Sequence, residues 1–162
     1  MHPNAQAIAR LLAEQAPDAE VRELDASTRT AAEAASALGC DVGAIANSLV
    51  FMAGETSEPL LIMTSGRHRV DVGFVGSELS LGPVRRATAD EVRSATGQSI
   101  GGVAPIGHPA RLRTLVDQWL ARYPVIWAAA GTSHAVFSTT FAQLLEITGG
   151  SPVMVEPSGD GD

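Results

Sequence analysis

The 162-residue sequence contains no lysine and only one cysteine. Without lysine the chain cannot use Schiff-base chemistry, a lysine general base or the lysine of a nucleotide-binding P-loop. A single cysteine cannot form an intramolecular disulfide, so we expect a protein of the reducing cytoplasm and not a secreted disulfide scaffold. No run of about 18 apolar residues and no signal-peptide core are present, so we expect a soluble protein without a membrane partner.

Common catalytic motifs are also missing. The sequence has no GxSxG, no HExxH and no CxxC, and its glycine spacing does not fit a dinucleotide-binding fingerprint, so we expect neither a metal nor another cofactor. Cys40 with His68, His108 or His134 would supply a nucleophile and a base. However, Cys40 follows a predicted helix C-terminus, where the dipole disfavours a thiolate, and we predict a small buried core residue.

The charge is negative and unevenly distributed. The sequence contains eleven arginines and 18 acidic residues, and the resulting net charge of −7 opposes nonspecific binding of DNA. Residues 60–113 hold seven of the arginines and only four acids, so a polyanion would meet the middle of the chain most favourably. Two interpretations of Arg67, Arg69, Arg85 and Arg86 stay open, a phosphate-facing patch or scattered surface arginines.

Short strands alternate with helices along the chain, which predicts a mixed α/β fold in one domain over residues 1–155 and a disordered acidic tail over 156–162. Capping boxes open two helices, at Thr30 and Thr88, and Thr140 caps a third. The predicted helices are 4–15, 30–38, 71–79, 88–96 and 140–148. The predicted strands are 21–24, 49–53, 60–63, 84–86, a strand within 112–116, 125–129, 135–138 and an edge strand at 152–155.

The least regular stretch, residues 98–109, contains the sequence Gly101-Gly-Val-Ala-Pro105. Consecutive backbone N–H groups in a curve that glycine permits have the chemistry needed to hold a carbonyl oxygen or a developing oxyanion. The alternative is a tight connection between a helix and a strand. The residues alone do not decide between the two.

Five collinear segments together resemble the YbaK/ProX-type aminoacyl-tRNA deacylases, also called prolyl-tRNA synthetase associated domains. They are residues 39–51, 61–71, 100–107, 128–134 and 144–149, and the resemblance spans roughly residues 20–155. It implies a single mixed α/β domain with a curved central sheet. It also implies a trans-editing factor that hydrolyses the ester of mischarged tRNA without a protein nucleophile.

The resemblance also assigns site residues. Gly101 to Pro105 match the loop that holds the aminoacyl carbonyl, and Gly131 and His134 match a turn that lines the pocket. Asn47 stands where the family has a functional lysine, so transition-state stabilisation should fall unless an arginine or Ser48 compensates for the missing charge. The expected catalytic residues are Asn47, Gly101, Gly102 and His134, and the expected substrate-binding residues are Ser48, Val103, Ala104, Pro105, Gly131, Arg67 and Arg69.

Two functions follow from these assignments, and a third alternative, an unrelated small-molecule binder on a similar sheet, is disfavoured by the collinear segments. The first is a deacylase whose partners are the 3′ end of aminoacyl-tRNA and an aminoacyl-tRNA synthetase. The second is a catalytically weakened module that binds tRNA, a synthetase or a small aminoacyl-like ligand. The neutral Asn47 favours the second, as does the net negative charge of residues 1–59 and 114–162, which flank the arginine-rich middle of the chain.

Overall fold

The computed structural model describes residues 2–25 and 30–157. Its helices are α1 (Pro3–Gln15), α2 (Ala31–Leu38), α3 (Val72–Glu78), α4 (Ala89–Thr96) and α5 (Phe141–Thr148), with 3₁₀ turns at Val42–Ala44 and Gln118–Arg122. Its strands are β1 (Val21–Glu23), β2 (Ile45–Ala53), β3 (Glu58–Ser65), β4 (Val84–Arg86), β5 (Arg113–Asp117), β6 (Ile126–Ala129), β7 (Ala135–Thr139) and β8 (Ser151–Val153).

The strands form one mixed sheet in the order β1-β7-β6-β2-β3-β5-β8, with β4 also paired to β2. The β2–β3 and β6–β7 pairs are antiparallel, whereas β2–β6, β3–β5 and β5–β8 are parallel. The mixed α/β class is therefore confirmed. Within the described residues no helix is both long enough and apolar enough to cross a bilayer.

The helices begin and end where local side-chain chemistry dictates. Thr30 and Thr88 form complete capping boxes with Glu33 and Glu91, so two backbone N–H groups are satisfied at each helix start. The glycines that follow α2, α4 and α5 are left-handed, with φ between 66° and 73°, and end each helix.

The largest apolar cluster lies between one face of the sheet and helices α1, α4 and α5, and it includes Val103 and Ala104. The other face is covered by α3, whose Val75 is fully buried, and by α2 through Ala34 and Ala35. Helices on both faces bury a sheet whose central strands are apolar.

The start of the second strand was predicted wrongly. It begins at Ile45 and not at Leu49, because Ile45 and Ala46 pair in parallel with Trp127 and Ala128 of β6. The polar residues Asn47 and Ser48 interrupt the apolar pattern and hide this part of the strand from a periodicity argument. Of the predicted tail, residues 158–162 lie outside the described residues.

Candidate active site

One edge of β2 is incompletely paired. On one side β2 pairs with β3 from Ala46 to Ala53; on the other it pairs with β6 at its start and with β4 from Phe51 to Ala53. No described strand pairs with residues 47–49 on this second side. The sheet therefore has a gap at Asn47 and Ser48.

A hollow lies at this gap, and its empty volume, including the part open to solvent, is about 420 Å³. Its walls are the start of α2, the stretch of β2 that is unpaired on this side, strands β6 and β7, and the 101–103 loop. The lining residues are Thr30, Ala31, Ala34, Ile45, Ala46, Asn47, Ser48, Gly101, Val103, Trp127, Ala128, Ala129 and Val136. Thus Asn47 and the loop, 54 positions apart in the chain, meet at one cleft.

The loop runs close against the turn that joins β6 to β7. A Cβ atom at Gly102 would lie 2.5 Å from the backbone carbonyl carbon of Thr132, closer than real Cβ contacts come. The preceding Gly101 has φ +93°, a conformation that residues with side chains rarely adopt. Both glycines are needed for the loop to enter the cleft.

Two side chains, the buried Gln98 and the half-buried His108, hold the loop in place. The Ala104 N–H donates to Oε1 of Gln98 at 2.7 Å, and the Ala104 carbonyl lies 2.8 Å from Nε2 of His108. Burial lowers the pKa of His108. Its ring is therefore neutral near pH 7, and Nε2–H is the tautomer that donates to this carbonyl.

The four amides of the loop divide into two kinds. The Gly102 N–H donates to the Ser99 carbonyl at 3.2 Å, and that of Ala104 is held by Gln98. The amides of Gly101 and Val103 bond to no described residue, and both residues line the hollow. The amides left for a ligand are therefore not consecutive but alternate.

Asn47 lines the hollow with a half-buried side chain that has no hydrogen-bond partner among the described residues. Its cross-strand neighbour Thr64 is 1% exposed, and the Thr64 hydroxyl also bonds to none of the residues that the structure describes. Directly opposed residues of an antiparallel pair project from the same face. The Ser48 hydroxyl, in contrast, donates to the sulfur of Met63 at 3.3 Å.

The other expected site residues lie around the hollow and do not line it. His134 is exposed, on the turn that packs against Gly102, with Nδ1 3.1 Å from the Ser133 hydroxyl. Gly131 packs against the backbone of Asn4 in α1. Pro105 and Ala104 are buried.

The four arginines of the hypothesised phosphate patch do not lie together. Arg67 and Arg69 follow the end of β3 that pairs with Ala46, whereas Arg85 and Arg86 lie opposite Met52 and Phe51. Six residues of strand separate the two pairs, about 20 Å. Arg85 also forms a double hydrogen bond with Glu91, which lowers the pKa of that carboxyl to about 2.

Arg67 belongs to a separate cluster built around Trp119. The guanidinium carbons of Arg67 and Arg122 lie 4.6 and 3.5 Å from the Trp119 ring centroid. The same ring packs edge-on against His68, whose Nδ1 lies 2.7 Å from a buried carboxylate oxygen of Asp117.

Cys40 is half-buried and not fully buried as predicted, and it packs against the cluster of Ala34, Ala35 and Ile45. Burial, with a contribution from Asp41, raises the pKa of its thiol. A raised pKa keeps the thiol protonated and disfavours it as a nucleophile. The described residues contain no group of three or more His, Cys, Asp or Glu side chains suited to a metal ion.

Sequence reasoning missed several residues that shape the site. Gln98 and His108 hold the loop, Thr64 lies beside Asn47, and Trp127 forms a wall. The only signal for Gln98 and His108 is that both lie in the irregular 98–109 stretch. Nothing in the sequence pairs Thr64 with Asn47.

Comparisons with known proteins identify the family. The family model described as the aminoacyl-tRNA editing domain matches residues 25–147. The uncharacterized protein YwhH of Bacillus subtilis (strain 168) is 30% identical over 130 residues, covering 80% of this chain and 81% of that protein. A proline–tRNA ligase of Limosilactobacillus fermentum is 31% identical over 94 residues, which are 56% of this chain but 16% of the ligase. The solved structure of a proposed trans-editing enzyme for prolyl-tRNA synthetase superimposes with a TM-score of 0.89 at 41% identity, covering 97% of this chain and 99% of that one.

Proposed function

Because this chain belongs to the family of aminoacyl-tRNA editing domains, we propose that it hydrolyses the ester of mischarged aminoacyl-tRNA in the hollow beside Asn47. The observation that carries the proposal is the meeting of two kinds of unpartnered donor at one cleft. These donors are the amides of Gly101 and Val103 and the side-chain amide of Asn47.

The proposed reaction needs no protein nucleophile. A water oxygen adds to the ester carbonyl carbon, and the carbonyl oxygen becomes an oxyanion that accepts hydrogen bonds from the loop amides. The intermediate collapses by breaking the bond to the ribose oxygen, which takes a proton as it leaves, and the new carboxylic acid loses its proton to solvent. An aminoacyl ester is already activated, so orientation and oxyanion stabilisation supply much of the rate.

Asn47 is proposed to donate from its NH₂ group to the developing negative charge or to the ribose. A neutral donor stabilises an anion less than a charged one does. His134 remains a proposed rim residue that positions water, and Arg67 and Arg69 remain proposed contacts to the tRNA outside the hollow. We propose the aminoacyl-tRNA 3′ end and a prolyl-tRNA synthetase as partners, in the cytoplasm where tRNA is charged.

The test is loss of the ester from tRNAs charged with proline, alanine, cysteine or serine. Changing the charge at position 47 tests the mechanism. Asn47→Asp should hydrolyse the ester more slowly than the wild type, and Asn47→Lys should hydrolyse it faster. The control is Gln6→Ala, on an exposed face of α1. No acceleration over buffer on any of the four tRNAs would refute the deacylase, and a slower Asn47→Lys enzyme would refute the role of Asn47.

A binding module is the alternative. The observation that favours it is that, within the part of the chain that the structure describes, none of the thirteen residues lining the hollow is charged. A module would bind an aminoacyl-tRNA and protect its ester from spontaneous hydrolysis, whereas a deacylase shortens the lifetime of the ester. The same assay separates the two by the sign of the effect.

A further inference from the structure

Arg22 of β1 reaches across the sheet toward the hollow. Its guanidinium carbon lies 4.8 Å from the centroid of the Trp127 ring, on β6. Between them lies β7, which pairs with β1 on one side and with β6 on the other. The side chain therefore spans β7 and places its positive charge on a residue that forms a wall of the hollow.

Strand register puts Arg22 on the same face as the hollow. Arg22 is opposite Val136, which is opposite Ala129, and both of these residues line the hollow. Trp127 in turn pairs with Ile45, two residues before Asn47. The position of Asn47 is one strand away from that of Trp127 and two residues farther along β2. The two positions are therefore about 8 Å apart in the sheet.

The guanidinium at this rim is available to an anion. Its side chain is 46% exposed, and it is paired through one nitrogen, at 2.8 Å, with Glu20, which is 63% exposed. An exposed ion pair of this kind contributes little to stability, so another anion can easily displace Glu20 from the guanidinium. A phosphate offers the guanidinium a double hydrogen bond, which a single contact with Glu20 does not.

We propose that Arg22 binds a phosphodiester of the RNA strand whose 3′-terminal ester occupies the hollow. This inference rests on the proposed function, because it assigns the charged contact of the same site. None of the described residues that line the hollow is charged, so the aminoacyl end meets neutral groups there while the adjoining phosphate meets Arg22 at the rim. Glu20 weakens phosphate binding, since its carboxylate competes with the phosphate for the guanidinium of Arg22.

Direct binding tests the proposal without using catalysis. The probe is an uncharged RNA hairpin with a tRNA acceptor stem ending in CCA, followed by fluorescence anisotropy at several salt concentrations. Arg22→Gln should weaken binding about tenfold and reduce the salt slope by about 0.7. Glu20→Gln should tighten binding about two- to threefold. Arg22→Lys, which keeps the charge, should retain most of the salt slope.

The matched control is Arg85→Gln, since Arg85 is also paired with a glutamate but lies on β4, at the far end of β2. It should bind the hairpin as the wild type does. A second arm compares aminoacyl-tRNA with aminoacyl-adenosine, which has no phosphate. Arg22→Gln should slow deacylation of the tRNA about tenfold in kcat/KM and leave the adenosine ester unchanged.

The proposal fails if the wild type does not bind the hairpin, if Arg22→Gln binds within twofold of the wild type, or if it loses equal activity on both esters. Equal loss would mean that Arg22 only supports Trp127. Failure of the deacylase function gives a different pattern. Wild-type protein would then hydrolyse neither ester, while hairpin binding would still respond in opposite directions to changes at Arg22 and Glu20.

Discussion

Replacing Gln98 by methionine should destabilise the protein by removing one hydrogen-bond acceptor at nearly constant side-chain volume. Gln98 is 6% exposed, and its Oε1 accepts the N–H of Ala104, a residue that is fully buried. Methionine leaves that N–H buried without an acceptor, which costs about 1–3 kcal/mol. For a chain of this length each kcal/mol shifts Tm by about 2–4 °C, so the expected fall is about 2–12 °C.

Urea unfolding followed by circular dichroism measures this change in the free energy of unfolding. The m-value should stay constant, because the surface exposed on unfolding does not change. Amide hydrogen exchange measures the local effect. The Ala104 amide should exchange faster in Gln98→Met, since its hydrogen bond to the Gln98 side chain is lost. If the protein deacylates tRNA, kcat should fall about 10- to 100-fold, because the loop is no longer held in position.

The control for this experiment is Gln6→Met, at an exposed position on α1, which should change stability by less than about 0.5 kcal/mol. A change equally small in Gln98→Met, together with unaltered exchange at Ala104, would refute the claim that the Gln98 side chain holds the loop.

Three further changes have expected outcomes. Gly102→Ala places a Cβ 2.5 Å from the Thr132 backbone, so it should cost about 1–3 kcal/mol in thermal unfolding, while Gly73→Ala, whose Cβ meets nothing closer than 3.6 Å, should be neutral or stabilising. Thr64→Val removes an unpartnered buried hydroxyl and should raise the free energy of unfolding by about 1 kcal/mol; a loss would mean that the hydroxyl is hydrogen-bonded in solution. The pKa of Glu91 falls from its ordinary 4.5 to about 2 in the folded state, so its contribution to stability is complete above about pH 4.5 and is lost as the pH falls toward 2. Glu91→Gln should therefore flatten the dependence of stability on pH in that window, as measured by urea unfolding at each pH, and an unchanged slope would contradict the pairing with Arg85.

The sequence itself determined the helices and the broad chemistry of the protein. Capping boxes at Thr30 and Thr88 and the glycines after α2, α4 and α5 depend on residues three to five positions apart, so their pattern can be recognised without tertiary structure. The absence of lysine and the presence of a single cysteine can likewise be read from the sequence without a structure. The collinear segments of the resemblance indicated the family, which the family model confirms.

Only the tertiary structure decided what lies around Asn47. The gap exists because β6 and β4, far apart in the chain, pair with opposite ends of one edge of β2. The buried hydroxyl of Thr64 and the reach of Arg22 over Trp127 depend on strand order and register in the same way. The resemblance pointed to Asn47, Ser48, Gly101 and Val103, which line the cleft. Strand pairing joins residues distant in sequence, and no local pattern encodes which edges meet, so the walls contributed by β6 and β7 could not be predicted from the sequence.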